Sequence, residues 1–309
     1  MGTPELACTT LAALLEAPGF NIVAVVTQPD RPKGRDLRLQ PSPVKELANQ
    51  KGLRLVQPEK ARDEKFLGSI RELRPDLIAV AAFGQILPQQ LLNLPRFGCL
   101  NVHTSLLPKY RGAAPIQWAI LNDDRQTGVT IMKMDAGLDT GPILSQESTP
   151  IEQTDTSPSL HDRLASLGAN LLVRTIPDYV SGRIDAQPQP VEGVSYARKI
   201  LKTDGLITWK RPARDIWNQA RALVPWPGAY SSLNAPRSGL LKIWEAEVSD
   251  FAGAPGTVLS ANKTGIIAAC GVQALRILCL QREGSRRLKP QEFLAGCPLN
   301  AGEQLGPID

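Results

Sequence analysis

The sequence predicts an α/β protein: an N-terminal, doubly wound, Rossmann-like domain followed by a small C-terminal β-barrel of the OB type. In the first half, short apolar runs alternate with segments of helical periodicity, which is typical of a sheet covered by helices on both faces. In the last third, five short alternating segments punctuated by glycines indicate an antiparallel barrel. The length of 309 residues accommodates two domains of ordinary size.

The elements of the first half follow from periodicity. Apolar residues at helical spacing predict three helices, at Glu5–Ala17, Pro43–Lys51 and Ala61–Leu73. Continuous apolar runs predict four buried strands, at Asn21–Val26, Leu53–Val56, Asp76–Ala82 and Cys99–Val102. Because strands alternate with helices, we expect a parallel sheet. Between Thr27 and Pro43 the sequence is rich in Pro, Arg and Lys, which predicts a polar loop.

The pattern changes after Asp139. We expect an extended edge segment at Pro142–Ile151 and a long helix at Ser159–Val180. Residues 188–205 have no periodicity and are predicted to link a catalytic domain at 1–187 to a barrel domain at 206–309. The barrel domain is predicted to contain these elements: a helix at Arg211–Leu223, strands at Ala229–Leu233, Gly239–Val248, Gly256–Ser260, Thr264–Cys270 and Ala274–Gln281, and a helix at Pro290–Leu294.

Composition excludes several classes of protein. The chain is 42% hydrophobic and 21% charged, and no apolar run is long enough for a membrane span. Residues 1–13 lack the features of a signal peptide. Five cysteines without a CxxC pair, and only two histidines, argue against a disulfide framework and a metal site. We therefore expect a cytoplasmic protein without membrane contact or bound metal.

The basic charge is concentrated near the C-terminus. Residues 205–309 contain 12 Lys and Arg against 8 Asp and Glu, whereas the first 204 residues contain 23 against 22. This distribution favours a polyanionic partner such as nucleic acid. An ordinary solvated surface is the alternative.

One polar cluster has the composition of an acyl-transfer site. Asn101 and His103 are two residues apart at the carboxyl end of a predicted strand, so their side chains point to the same side, where α/β sheets bind ligands. The glycine-containing segment 134–141 could bring Asp139 back to the same place, which we expect to be an open cleft. An amide and a charged imidazole stabilise an oxyanion, and a carboxylate supports the imidazole. The alternative is a buried histidine with a purely structural role.

These residues resemble a known family. Asn101-x-His103-x-Ser105-Leu106-Leu107-Pro108-x-x-x-Gly112, with Asp139 36 residues after the histidine, is similar to the 10-formyltetrahydrofolate-dependent formyltransferases. Further segments resemble the methionyl-tRNA formyltransferases among them: residues 1–4, 26–32, 83–88, 112–117, 218–219 and 225–230. The resemblance extends over nearly the whole chain.

The resemblance implies a reaction and a set of site residues. The formyl group of 10-formyltetrahydrofolate would pass to the α-amino group of methionyl initiator tRNA, without a metal, in support of translation initiation. Asn101 and His103 would stabilise the oxyanion, and Asp139 would orient His103 and assist proton transfer. The folate would contact three segments, with Phe83 stacking on it: Phe83, Gly84, Gln85, Ile86 and Leu87; Ser105, Leu106, Leu107 and Pro108; Asp135 and Gly137. We expect the protein to act as a monomer.

The resemblance also implies contacts to tRNA. The basic residues in question lie in the loop after the first recognisable strand, in the linker and in the barrel: Arg31, Lys33, Arg35 and Arg38; Lys199; Arg286 and Arg287. Plain surface charge is the alternative for each of them.

One departure and two competing functions accompany this interpretation. Members of the family begin with an apolar strand before Met-Gly-Thr-Pro, whereas this chain opens at that motif, so we expect the first central strand of the sheet to be missing. A formyltransferase or folate hydrolase acting on another small molecule, such as an amino sugar, is the second hypothesis. A tRNA-binding protein without catalytic activity is the third.

Overall fold

The structure is a computed structural model, which describes residues 1–33, 38–233 and 239–306. The described chain divides into two compact units. Unit 1 contains residues 1–115, 126–150 and 161–197, and unit 2 contains residues 116–125, 151–160 and the chain from Arg198 onward. The second unit therefore includes two short segments that precede the barrel in the sequence.

Up to residue 197 the chain forms six helices and ten strands among the described residues. The helices are α1 (Glu5–Glu16), α2 (Pro43–Gln50), α3 (Glu64–Leu73), α4 (Gln89–Leu92), α5 (Pro115–Leu121) and α6 (Ser157–Val180). The strands are β1 (Val25–Val26), β2 (Arg31–Lys33), β3 (Arg38–Gln40), β4 (Leu55–Val56), β5 (Ile78–Val80), β6 (Cys99–His103), β7 (Arg111–Gly112), β8 (Gln126–Lys133), β9 (Ile143–Pro150) and β10 (Tyr196–Ala197).

The sheet of unit 1 is mixed. β1 pairs with β4 and β5 with β6 in parallel, as the alternation of strands and helices predicts. β8 then pairs antiparallel with both β6 and β9, so the expectation of a parallel sheet is wrong beyond β6. The connection from β6 to β8 contains the helix α5, as a parallel crossover would, but the chain returns in the opposite direction. A core of buried side chains, including Phe66, Leu91 and Cys99, packs under this sheet.

The first residues of the chain lie between β1 and β5. The Gly2 amide donates to the Val26 carbonyl, and Ala81 donates to the Met1 carbonyl, both at 2.9 Å. Beside them is a cavity of about 850 Å³, lined by α1, by segments 18–26 and 73–79, and by the end of α6. The Met1 ammonium group is buried there and donates to the Ala79 carbonyl at 2.6 Å. Burial lowers the pKa of this amine from 8.0 to about 6.

The segment predicted as a polar loop contains regular backbone pairing. β2 and β3 pair antiparallel, with Arg31 opposite Gln40 and Pro32 opposite Leu39. Proline is tolerated here because the two strands form a separate pair in which each has an unpaired side. The segment predicted as a loop therefore contains a short antiparallel pair of strands, β2 and β3.

In unit 2, a five-stranded antiparallel sheet follows helix α7 (Ala213–Ala222). Its strands are β11 (Ala229–Leu233), β12 (Gly239–Ser249), β13 (Val258–Asn262), β14 (Gly265–Ala269) and β15 (Ala274–Arg282), and helix α8 (Pro290–Gly296) follows them. The order is β11-β12-β15-β14-β13. The C-terminal segment joins both edges, because Leu305 bridges Leu233 and Gln304 bridges Thr257. This closure produces the predicted barrel around a core that includes Trp209, Ile216 and Phe293.

The predicted linker begins as part of unit 1. β10 pairs in parallel with β7, so Tyr196 lies opposite Arg111 and Ala197 opposite Gly112. A 3-10 turn at Lys202–Gly205 leads into the barrel. The domain boundaries inferred from the sequence remain a prediction. In the described part of the chain, no helix combines the length and apolar character needed to cross a bilayer.

Candidate active site

Strand β6 places the two polar residues of the Asn-x-His motif on the same face of the sheet. Asn101 lies opposite Met132 of β8, and His103 lies opposite Thr130. The Asn101 side chain is half-buried, and its amide has no hydrogen-bond partner among the described residues. Because a polar group in this position normally finds a partner, the amide is available to a ligand.

His103 is more enclosed than the sequence suggests. Its Nε2 lies 2.9 Å from the Tyr110 carbonyl oxygen. Because a carbonyl only accepts, Nε2 carries the proton and donates it. The residue is 6% exposed, so the expectation that it lines an open cleft is wrong in this structure. Nδ1 is therefore the ring nitrogen that remains available to exchange a proton with a ligand.

Asp139 supplies the carboxylate on that side of the ring. Its Oδ2 lies 3.8 Å from His103 Nδ1 and accepts a hydrogen bond from the Gly112 amide at 2.8 Å. The segment that carries it turns tightly: Asp135 Oδ1 accepts from Gly137 N at 3.0 Å and from Thr140 Oγ1 at 2.7 Å. The structure therefore brings together the imidazole and carboxylate that the sequence places 36 residues apart.

The Ser105–Pro108 turn is held by its own polar groups. Ser105 Oγ donates to the Lys109 carbonyl at 2.6 Å, and Thr130 Oγ1 donates to the Ser105 carbonyl at 2.6 Å. The Leu107 amide donates to the same Thr130 oxygen at 3.0 Å. These bonds fix the turn beside His103, and they occupy the Ser105 hydroxyl.

The segment after β5 is divided between core and surface. Phe83 is 2% exposed and packs in the core with Leu87, so its ring is not presented for the stacking that the resemblance implies. Gln85 holds the neighbouring loop by accepting from the Ala61 amide at 2.7 Å. Ile86, at 88% exposure, and Leu138 in the Asp139 loop, at 60%, are the exposed apolar side chains of the proposed folate segments. They are the surfaces on which a flat ring could rest.

Gly84 is required for this geometry. Its φ is +81°, and a Cβ there would lie 2.4 Å from the Gln28 amide nitrogen. That nitrogen donates to the Phe83 carbonyl at 2.9 Å. A side chain at position 84 would therefore displace the segment.

The proposed tRNA contacts lie in different settings. Arg31 is exposed and pairs with Glu59 at 3.3 Å. Arg35 lies outside the described residues, and Lys33 and Arg38 are the strand positions that flank the undescribed segment. Lys199 is exposed and has no ion pair in the described chain.

The two barrel arginines differ. Arg286 pairs with Glu292 at 3.2 Å, so its charge is partly compensated. The Arg287 guanidinium lies 3.7 Å from the centroid of the Trp244 ring, and Lys242 Nζ lies 5.3 Å from the same centroid. Two cations on one buried indole form a basic surface of the kind that contacts nucleic-acid phosphates.

The cysteine in β6 is unsuited to act as a nucleophile. Burial raises the pKa of Cys99 to about 12, so its thiol stays protonated at neutral pH. Its Sγ contacts the Leu91 carbonyl in the core. This thiol is therefore not available as a nucleophile for the site.

Backbone groups were the part of the site that sequence reasoning missed. The Tyr110 carbonyl orients His103 and the Gly112 amide orients Asp139. Gly112 belongs to the motif that carries the resemblance, and Tyr110 occupies one of its unspecified positions. The one signal in the sequence was the glycine at position 112. In the structure its φ is +119° and a Cβ would lie 2.7 Å from the Ala197 carbonyl oxygen, so no side chain fits there.

Comparison with known proteins agrees with this geometry. The family described as "Formyl transferase" matches residues 2–176, and "Formyl transferase, C-terminal domain" matches residues 199–298. The chain is 53% identical to the "Methionyl-tRNA formyltransferase" of Pelobacter propionicus, over 99% of this chain and 95% of that one. It is 51% identical to the protein of the same name from Aromatoleum aromaticum, over 98% and 95%.

Solved structures share the fold. The N-formyltransferase from Helicobacter canadensis, crystallised with folinic acid and dTDP-3-aminofucose, has a TM-score of 0.64 and 20% identity, over 89% of this chain and 97% of that one. At this identity the likeness concerns the fold alone. Because both family matches and two relatives of about half identity over nearly the full length agree, the chain belongs to the methionyl-tRNA formyltransferase family of formyl transferases.

Proposed function

We propose that this protein transfers the formyl group of 10-formyltetrahydrofolate to the α-amino group of methionyl initiator tRNA, and that Asn101, His103 and Asp139 carry out the transfer. The observation on which the proposal depends is the pairing of His103 Nδ1 with Asp139 Oδ2 beside an Asn101 amide that has no partner among the described residues. Relatives of about half identity bear the name of this activity.

The reaction begins with attack of the amine lone pair on the formyl carbon. A C–N bond forms, and the carbonyl oxygen takes up the displaced electron pair. Donors aimed at this oxygen lower the barrier. The Asn101 amide is the neutral donor. The charged one is the His103 imidazolium that forms when Nδ1 takes up the amine proton, with Asp139 beside it. The tetrahedral intermediate needs no covalent bond to the protein.

Collapse of the intermediate restores the carbonyl and breaks the bond to folate N10. The attacking amine must lose a proton and N10 must gain one. His103 is suited to this transfer only through Nδ1, because Nε2 is committed to the Tyr110 carbonyl. The Asp139 carboxylate stabilises the imidazolium that forms. The Gly112 hydrogen bond keeps this carboxylate in place.

The barrel carries the proposed contacts to tRNA. Arg287 and Lys242 lie on the face of Trp244, and most of the excess positive charge of the chain lies in this last third. Phosphates attract such cations, and the buried Trp244 ring holds the two of them close together. We further propose that the protein acts as a monomer in the cytoplasm.

A competition between acceptors tests the function. The purified protein is given 10-formyltetrahydrofolate with methionyl initiator tRNA, methionyl elongator tRNA or a dTDP-linked amino sugar. We expect formylation of the initiator tRNA, with much lower kcat/KM for the other two. A higher kcat/KM for the amino sugar would contradict the proposal, and so would formate release at the same rate without an acceptor.

A further inference from the structure

We propose that Gln189 is a positioning residue for formyl transfer: its side-chain amide ties the Asp139 loop to Arg111 and thereby fixes the Asp139 carboxylate beside His103. Gln189 lies in the aperiodic segment after α6, in unit 1, and belongs to none of the motifs that carry the resemblance. The catalytic part of this inference depends on the proposed function, whereas its geometric part does not.

The Gln189 amide is fully engaged. Its Nε2 donates to the Asp139 carbonyl at 2.7 Å and to the Gly141 carbonyl at 2.8 Å. Its Oε1 accepts from Arg111 Nε at 3.0 Å and from Arg111 Nη2 at 2.7 Å. Carbonyls only accept and guanidinium groups only donate, so a single orientation of the amide satisfies all four bonds.

These bonds close a ring through the site. Arg111 directly precedes Gly112, whose amide donates to Asp139 Oδ2 at 2.8 Å. Asp139 is therefore held at its carbonyl by Gln189 and at its carboxylate by Gly112. Gln189 links these two contacts, because its Oε1 also accepts hydrogen bonds from Arg111, the residue next to Gly112. The position of the carboxylate relative to His103 is therefore determined by two contacts, one at the Asp139 backbone and one at its side chain.

The Asp139 loop needs such support. Asp139 has a φ of +52°, a left-handed conformation that residues other than glycine rarely adopt. Conformations of this kind persist only where surrounding contacts determine them. Asp135 holds the loop on both sides of Asp139, through Gly137 and Thr140, but its side chain has no bond to the backbone of Asp139. The side-chain bonds to the carbonyls of Asp139 and Gly141 come from Gln189.

Only glutamine provides this set of bonds at this length. Glutamate would keep the contact with Arg111 but lose both donors, and its negative charge would face the Asp139 and Gly141 carbonyls. Methionine has a similar length and makes none of the four bonds. Gln187 offers a matched control in the same segment, because it is exposed and its amide only reaches the Asp185 carbonyl at 3.4 Å.

The test compares Gln189→Met, Gln189→Glu and Gln187→Met with the wild-type protein in formylation of methionyl initiator tRNA. A reactive group displaced by about 1 Å costs on the order of 100-fold in rate. We therefore expect Gln189→Met to lower kcat by about 10- to 100-fold, with both KM values within twofold of wild type. Gln189→Glu should fall similarly, and Gln187→Met should match wild type.

A second background separates positioning from general stability. In Asp139→Asn, the group through which Gln189 acts has lost its charge, so adding Gln189→Met should change kcat little. A loss by the same factor in both backgrounds would overturn the proposal, as would wild-type kcat in Gln189→Met. A fall in melting temperature that accounts for the lost activity would also overturn it.

An NMR measurement makes the outcome independent of turnover. The chain has two histidines, so the ring signals of His103 and His161 can be followed separately. Gln189→Met should shift the His103 signal and leave that of His161, which is bonded to Asp162, in place. An unshifted His103 signal would contradict the positioning role even if the wild-type protein did not formylate methionyl-tRNA. The latter result would instead contradict the proposed function.

Discussion

His103 Nδ1 and Asp139 Oδ2 lie 3.8 Å apart. Each side chain also has a hydrogen bond to a backbone group: the imidazole donates to the Tyr110 carbonyl, and the carboxylate accepts from the Gly112 amide. Tyr110 and Gly112 are two residues apart on one short segment. This segment therefore determines the positions of both the imidazole and the carboxylate, and we expect the two side chains to behave as one functional unit.

Changes to the pair should separate activity from stability. Asp139→Asn keeps an oxygen for the Gly112 amide but loses the charge, so we expect kcat to fall about 100- to 1,000-fold with little change in melting temperature. His103→Ala should lose similar activity and also about 1–3 kcal/mol of unfolding free energy, because a buried hydrogen bond to the Tyr110 carbonyl disappears. Kinetics and thermal melts of both variants check this. Equal melting temperatures for the two variants would contradict the structural half of the prediction.

The two barrel arginines should differ in their effect on tRNA binding. Arg287→Ala removes the cation stacked on Trp244, whereas Arg286→Ala removes one already paired with Glu292. We expect Arg287→Ala to weaken tRNA binding more and to reduce the slope of log affinity against log salt by about 0.7–0.9. Filter binding at several salt concentrations measures both. Lys263→Ala, in the turn between β13 and β14, is the control, and an equal effect there would refute a specific role for Arg287.

The cavity beside Met1 should accept an added strand. It measures about 850 Å³ and is lined largely by apolar side chains of α1, α6 and segments 18–26 and 73–79. Five apolar residues added before Met1 should raise the melting temperature, because each buried side chain contributes about 1.5–3 kcal/mol before the entropy of ordering is subtracted. A Gly-Ser extension of equal length is the control. Equal melting temperatures for both extensions would mean that the cavity does not bind the added segment.

The buried amine of Met1 should make stability depend on pH. Its pKa is about 6 in the folded chain, mainly through burial, against 8.0 in the unfolded chain. Between these values the unfolded chain binds more protons, so unfolding free energy should rise as pH increases from 6 to 8, by at most about 3 kcal/mol. Denaturant titrations across this range measure the rise. The Gly-Ser extension moves the amine out of the site, so an identical pH dependence in that variant would contradict the assignment.

The sequence determined much of the fold through local patterns. The helical periodicity of Glu5–Ala17 and the apolar run at Asp76–Ala82 mark α1 and β5 to within a few residues. The prediction of a purely parallel sheet failed at β8, because the alternation of strands and helices does not determine the direction in which a strand joins its neighbour. The β-branched run Val129–Ile131 is typical of a strand, but it does not indicate the direction of that strand.

The part of the site that depends on the spacing of residues along one strand could be predicted from the sequence. Asn101 and His103 share a face because strand alternation requires it. The support of Asp139 was not predictable, because Gln189 reaches residues 48 and 78 positions away and no local pattern encodes that contact. The enclosure of His103 likewise depends on the Tyr110 carbonyl, whose direction is a property of the folded turn.

Single-turnover formylation of methionyl initiator tRNA by wild type and Asn101→Ala tests the central claim most directly. The Asn101 amide has no hydrogen-bond partner in the described chain, so its removal should leave the melting temperature unchanged. We expect the rate of formyl transfer at saturating substrates to fall about 100- to 1,000-fold, as for loss of one oxyanion donor. A rate within a few-fold of wild type would show that Asn101 does not act on the transition state, and the proposed site would be wrong.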